Sequence, residues 1–153
     1  MIGNQERRRV LLGQHDRLRV LIAAVSKAAG EVLATPEDSA GSRVEVLRIA
    51  IGTLRRDLED HLVTEEALLK PVLARIDAWG PIRLAQMHAE HAHHRALLTA
   101  LRAERPPLEP HVLARSANTL ATDVLAEMED EERDLLAAGV LTDDPINLDV
   151  SDA

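Results

Sequence analysis

The sequence predicts an all-α protein, an up-down-up-down antiparallel four-helix bundle, on three observations. Apolar residues return every three or four positions along four long stretches, the period of a helix with one buried face. Short connections rich in Gly, Pro and Ser join these stretches, so consecutive helices must pack antiparallel. The chain holds one Trp and neither Tyr nor Phe, and a core of Leu, Val, Ile, Ala and Met suits helices better than sheets.

The first helix is predicted over about Asn4 to Ala29. Its stripe runs Leu11, Leu18, Ile22, Val25, with Leu21 beside it, and His15 falls inside it between Leu11 and Leu18. Gly30 is expected to close the helix, and "GEVLATPEDSAGS" reads as a connection ending near Ser42 as an N-cap. The second helix, about Arg43 to Ala78, carries the series Val44, Leu47, Ile51, Leu54, Leu58, His61, Glu65, Leu68, Val72, apolar except at His61 and Glu65. Pro71 should kink its last turns, and "WGP" at Trp79 to Pro81 reads as a stop and restart, with Trp79 in the core or at the cap.

The third helix, Pro81 to about Glu104, places Leu84, Met87, His91, His94, Leu98 and Leu101 on one stripe. His88 sits on its shoulder, and His93 points away. The fourth, about Pro110 to Ala137, starts on a proline suited to a first helical position. It runs Leu113, Ala117, Leu120, Val124, then Glu127 or Met128, Glu131 and Leu135. His93 and His111 are expected in solvent. Residues 1–138 form the bundle on this reading, and residues 139–153 an acidic, peripheral tail.

Composition removes many functions. A chain of 153 residues fits one domain with a good core. The absence of cysteine excludes disulfides, thiolate zinc sites, cysteine-ligated iron–sulfur clusters and cysteine nucleophiles. A net charge of −8 argues against a nucleic-acid partner, and the one basic run, Arg7 to Arg9, reads as a solvated helix face. No stretch has the length of a membrane span or the apolar run of a secretory signal, so no membrane partner and a cytoplasmic location are expected. Phosphate-loop, dinucleotide and His-Glu-x-x-His patterns are absent, and the serines suggest no nucleophile elbow. A ferritin-type centre needs two Glu-x-x-His elements; the chain offers only Glu90 to His93.

What remains is a polar pattern on the buried stripes. Each helix puts at least one polar residue where its periodicity demands an apolar one: His15, then His61 with Glu65, then His91, then Glu127 with Glu131. An unpaired carboxylate in a dry core costs several kcal/mol, and three together repel, so cations would offset the cost. Residues four apart share a helix face and can hold one metal or two adjacent ones. Imidazole and carboxylate without thiolate suit iron, manganese or zinc, and bridging carboxylates favour a pair of iron or manganese ions. Glu90 is placed to hydrogen-bond a ligand histidine from outside. His94 and His88 flank His91 as pocket-lining candidates for moving protons.

The order His, His-x-x-x-Glu, His, then a position-x-x-x-Glu, one element per helix, resembles the hemerythrin-like (HHE cation-binding) domain. The likeness is most specific in "HLVTEEALLKP", His61 to Pro71, with a Glu pair four and five residues after the histidine, then a leucine and a proline. "EERDLL" at Glu131 to Leu136 echoes it, and Glu90-His91 and the first-helix "QHDRLR" fit as well. The resemblance covers about Val10 to Ala138. It implies iron ligands at His15, His61, Glu65, His91 and Glu131, with Glu65 and Glu131 as bridges, and hence two non-haem iron ions, with manganese or zinc as alternative occupants.

Glu127 stands where the family has its fourth-helix histidine. It is then a substituted ligand, or one metal is half-held, or His88 or His94 swings in. Arg95 stands where oxygen-carrying members have a second third-helix histidine, which points away from reversible oxygen carriage. The implied partners are small molecules, namely peroxide, oxygen or nitric oxide, or the centre senses iron or redox state; peroxide disproportionation is the enzymatic version. The competing expectation is a metal-free or mono-metal helical interaction module with a degenerate site.

Overall fold

The structure, a computed structural model, describes residues 2–102, 108–137 and 139–141. Helix α1 spans Asn4–Leu33, α2 Gly41–Ile76, α3 Gly80–Leu101 and α4 Pro110–Asp134, with a 3-10 turn, Glu37–Ser39, in the first connection. No strand occurs among the described residues. Each helix packs on its neighbours in chain order and α4 closes back on α1, while α2 and α4 barely touch across the diagonal. This is the expected four-helix bundle. No helix among the described residues is long and apolar enough to cross a membrane.

The core is divided. One apolar cluster, with Leu18, Ile22, Leu47, Leu54, Leu98 and Leu120 among its members, fills one end of the bundle. A smaller one, built from Leu11, Leu69, Leu73, Met87, Leu135, Leu136 and Leu141, fills the other. His15 lies between Leu11 and Leu18, Glu65 between Leu62 and Leu69, His91 between Met87 and Leu98, and Glu131 between Met128 and Leu135. The polar residues therefore form a layer that separates two apolar plugs.

Several local expectations are corrected. Helix α1 runs through Gly30 because Val32, fully buried, continues its stripe. Late in α2 the inward residues are Leu69 and Leu73, with Leu68 and Val72 half-buried. That face is covered by the C-terminal residues Leu136 and Leu141, held back partly by a hydrogen bond from the Arg8 guanidinium to the Leu136 carbonyl. The tail thus begins inside the core, not at its periphery, and residues 142–153 lie outside the described residues. Helix α4 ends at Asp134, short of Ala137. Helix α3 ends at Leu101, and Glu104 lies outside the described residues. Trp79, at the N-cap of α3, is 63% exposed and no part of the core. His111 is half-buried and donates to the Thr35 carbonyl at 2.7 Å, tying the start of α4 to the first connection.

The α2–α3 turn depends on one glycine. A Cβ at Gly80 would stand 1.7 Å from the Leu73 carbonyl oxygen, so α3 starts against the backbone of α2 where no side chain fits. Overpacking of this kind typically costs about 1–3 kcal/mol. Gly80→Ala is expected to lose at least about 2 kcal/mol in urea unfolding with the helical signal at zero denaturant retained. A midpoint equal to that of the unaltered chain would contradict this tight crossing.

Candidate metal centre

The sequence places one polar element on each buried stripe, and the bundle brings them together. His15 comes from α1, His61 and Glu65 from α2, His91 from α3 and Glu131 from α4, all buried. Glu65, 1% exposed, is the hub. Its Oε2 lies 3.1 Å from His61 Nε2 and 3.3 Å from His91 Nε2. Glu131 Oε1 stands 3.8 Å from His15 Nε2, and the rings of His15 and His61 meet edge to face at 5.0 Å.

All three imidazoles turn Nε2 inward and anchor Nδ1 outward. His15 Nδ1 is 3.0 Å from Glu132, His61 Nδ1 is 2.7 Å from Gln14, and His91 Nδ1 is 2.8 Å from Glu66. Two of these anchors are themselves held, Glu132 by Arg19 at 2.6 Å and Glu66 by Arg95 at 2.8 Å. An outward hydrogen bond at Nδ1 fixes the ring and aims Nε2 into the layer, the orientation of metal-bound histidines. Periodicity pointed to Glu90 for this role, and the structure assigns it elsewhere: Glu90 is exposed and lies beside Glu127. Gln14, Glu66 and Glu132 were missed, although each is the chain neighbour of a site residue. The available signal was the second Glu in "TEEA" and in "DEER".

The remaining candidates separate cleanly. Glu127 and Met128 both face inward: Met128 is buried and Glu127 is 12% exposed at the α3–α4 edge of the layer. Glu127 Oε1 is 3.5 Å from His91 Nε2 and its Oε2 2.8 Å from His94 Nδ1. His94 is buried. His88 is exposed and is not brought to the site, which corrects its expected catalytic role and its candidacy as a replacement ligand. At about 100° per residue, His88 and His94 lie about 60° to either side of His91. The His94 side faces α4; the His88 side, shared with Arg95, faces solvent. His93 points outward as expected, paired with Asp123 at 3.0 Å.

Protons balance the charges in this layer. Burial works to raise the Glu65 pKa, but hydrogen bonds from His61, His91 and Glu131 outweigh it and hold the carboxyl well below the carboxylate range. Burial, then the negative charge of Glu65, pushes Glu131 well above that range. Burial lowers His15, whereas at His91 the opposing pull of Glu65 and Glu66 wins and the pKa rises. Glu65 is therefore the anion, and Glu131 is a neutral acid donating to it.

The donor set fits a cation by two tests. His15 Nε2 and Glu131 Oε1 are buried without a hydrogen-bond partner, and His91 Nε2 has no well-aligned one, Glu65 standing 3.3 Å away; each unmet atom costs about 1–3 kcal/mol. Three of them in one layer mark a place built for another partner. Donors held about 2.1 Å from one ion stand about 3 Å apart, close to the separations of 3.1, 3.3 and 3.5 Å around Glu65 and His91. Among the described residues no group of three or more such side chains already forms a cation cage. The donors pair with one another instead of converging on a point, so closing the cage requires turning the glutamate side chains within helices already in place. A cavity of about 140 Å³ between α3 and α4 reaches the layer at Glu65, Glu127 and Glu131.

The family model "Hemerythrin HHE cation binding domain" matches residues 8–138. No curated protein and no solved structure matches the chain significantly.

The shared proton makes a prediction about chelator-treated protein. Stability contributed by neutral Glu131 is fully present below the ordinary carboxyl pKa of about 4.3 and is lost as pH rises through its raised folded value. Glu131→Gln keeps a neutral donor to Glu65 at every pH. Melting in chelator should therefore show a higher Tm for the variant at neutral pH and a flatter dependence on pH above the carboxyl range. A lower Tm at neutral pH would mean that Glu131 is not the protonated partner.

Proposed function

Since this chain belongs to the hemerythrin HHE cation-binding domain family, we propose that its metal-binding bundle holds a non-haem di-iron centre that reacts with or senses peroxide, oxygen, nitric oxide or iron and redox state. The proposed ligands are His15, His61, Glu65, His91, Glu127 and Glu131. The observation that carries the reading is the position of Glu65, a buried carboxylate within 3.3 Å of inward imidazole nitrogens from two helices and hydrogen-bonded to Glu131 of a third. A carboxylate shared in this way suits a bridge between two ions, and nitrogen and oxygen donors without sulfur suit iron, with manganese or zinc as alternative occupants.

When bound, a pair of irons supplies redox equivalents and Lewis acidity to a small oxidant. The chain's own groups set the conditions. Gln14, Glu66 and Glu132 hold the imidazoles in the ligating orientation. The two apolar clusters keep water from the layer above and below it. Arg95 is spent on Glu66 at the surface and presents no imidazole to the layer, which weighs against reversible oxygen carriage. Glu127 adds an anionic donor, and anionic donors favour the ferric state. In the enzymatic version, peroxide disproportionation, His94 Nδ1, 2.8 Å from Glu127, holds or passes a proton beside the cavity.

A second reading has its own support. Glu127 replaces the expected imidazole and lies against His94, as in a helical interaction module whose site has degenerated. Melting with and without chelator separates the two, because a ligand that binds only the folded chain must raise its Tm. Equal melting temperatures would favour the module.

Protein purified without a metal-affinity tag is expected to carry about two irons per chain and to show oxo-to-iron charge-transfer bands. Glu65→Ala should remove both metal and peroxide turnover in a folded bundle. Glu66→Ala should weaken metal affinity by about 10–100-fold, the usual effect of losing a histidine anchor. Zinc, a single ion, or none in the purified chain would overturn the di-iron reading, and unchanged turnover in Glu65→Ala would sink the enzymatic one.

A further inference from the structure

We propose that cations reach the centre through the α3–α4 seam, captured by Glu90 and Asp130 and passed inward to Glu127 and Glu131. The inference rests on the metal-binding reading and concerns how the site is filled. Three observations support it.

The first is a continuous path of carboxylates. The α3–α4 cavity is lined by Glu90, Asp130 and Asp134 toward solvent and by Glu65, Glu127 and Glu131 inside, with Arg83 its one cationic lining residue. A neighbouring surface groove shares Glu90, Glu127 and Asp130 and adds His94. Both depressions meet at the same three carboxylates. Arg83 is occupied by Asp77 at 3.0 Å, and Arg133 pairs with Asp130 and Asp134 along α4 itself, which partly offsets their charge without crossing the opening. Glu90 makes no ion pair with a Lys or Arg among the described residues; its charged neighbours are Glu127, His94 and His91.

The second observation lies at the inner end. Glu131 Oε1 lines the cavity, belongs to a residue only 8% exposed, and has no hydrogen-bond partner. His94 Nδ1, on a residue 3% exposed, is likewise without a properly aligned partner beside the groove. The path therefore ends on unmet donors.

The third is the contrast with the opposite side. The α1–α2 groove, with Asp57 and Asp60 in its lining, also reaches the layer, at His61. There Arg17 bridges to Asp57 across the opening, and His61 Nδ1 is already taken by Gln14.

A cleft of one charge sign with low-dielectric walls concentrates counter-ions and raises their association rate by about 10–1,000-fold, an effect that salt suppresses. Successive carboxylates also let an ion exchange its waters for oxygens stepwise, so no single step strips its hydration shell.

The test mixes chelator-stripped protein rapidly with cobalt(II), whose visible bands report coordination, and reads both the rate and the final stoichiometry at low and high salt. The variants are E90Q, E90Q/D130N, and D60N on the α1–α2 side. E90Q/D130N is expected to load at least about tenfold more slowly, to reach the stoichiometry of the unaltered chain, and to lose most of the salt dependence. E90Q alone should be intermediate, and D60N unchanged. Loading by E90Q/D130N at the unaltered rate would overturn the route, as would slowing confined to D60N. A reduced final stoichiometry at unchanged rate would make Glu90 and Asp130 part of the site and also overturn it. Should the unaltered chain take up no cobalt, the metal-binding reading itself fails and the route with it.

Discussion

One buried charge organises this molecule. Glu65 is 1% exposed in the middle of an apolar bundle, where an isolated carboxylate would be intolerable. It survives because His61 from its own helix, His91 from α3 and the proton of Glu131 from α4 all point at it. Two of these respond in turn, Glu131 to burial and then to the charge of Glu65, and His91 to the pull of Glu65 and Glu66 against its burial. Glu131 stays neutral beside Glu65, and His91 binds protons more readily although it is buried. Remove Glu65 and the inward direction of the other groups loses its cause.

The geometry of the layer then depends on contacts across the helix seams. Gln14 of α1 holds His61 of α2, Glu66 of α2 holds His91 of α3, and Glu132 of α4 holds His15 of α1. Three of the four seams are thus pinned by a hydrogen bond to an imidazole, and two of those bonds are backed by an arginine at the surface. Such networks specify one arrangement when all their members are satisfied. On the α3–α4 seam the corresponding imidazole bond, His93 to Asp123, lies at the exposed edge; within the layer Glu127 faces His91 and His94, and the cavity opens beside it. Three seams are anchored at the layer itself, and the fourth is anchored only outside it.

Periodicity revealed the four helices and the buried positions of His15, His61, Glu65, His91 and Glu131, because all lie on stripes that were otherwise apolar. It did not reveal the anchors. Gln14, Glu66 and Glu132 sit beside the stripes, where polar residues are unremarked, and their role depends on which helix lies across the seam. The stripe that includes His94 and leaves His88 on its shoulder matches their burial, His94 inside and His88 exposed. Both are offset from His91 by about 60°, so offset alone offers either as a pocket-lining group, and only the packing of α4 excludes His88. The drift of α2 from Leu68 and Val72 to Leu69 and Leu73 follows from chain folding back at Leu136 and Leu141, a contact no local pattern announces. Gly30 was read as a stop, yet a glycine inside a helix costs only about 1 kcal/mol, less than burying Val32 returns.

The exchange of an imidazole for Glu127 has consequences that its position makes specific. In the proposed centre it changes the donor set from two carboxylates and four imidazoles to three of each, one more negative charge at the same place. That charge falls beside the cavity between α3 and α4. It strengthens the attraction for cations at the inner end of the cavity and opposes the approach of anions. It also gives His94 a carboxylate neighbour at 2.8 Å, which an imidazole donor would not supply in the same form. Arg95, about one turn beyond His91 on the far shoulder of α3, meanwhile fixes Glu66 and so the ring of His91. The two departures from the family pattern therefore act on opposite sides of one histidine: Arg95 makes its outer side more rigid, and Glu127 makes its inner side more anionic. In the proposed centre both favour holding charge firmly and weigh against the near-neutral balance that loose, reversible ligand binding requires.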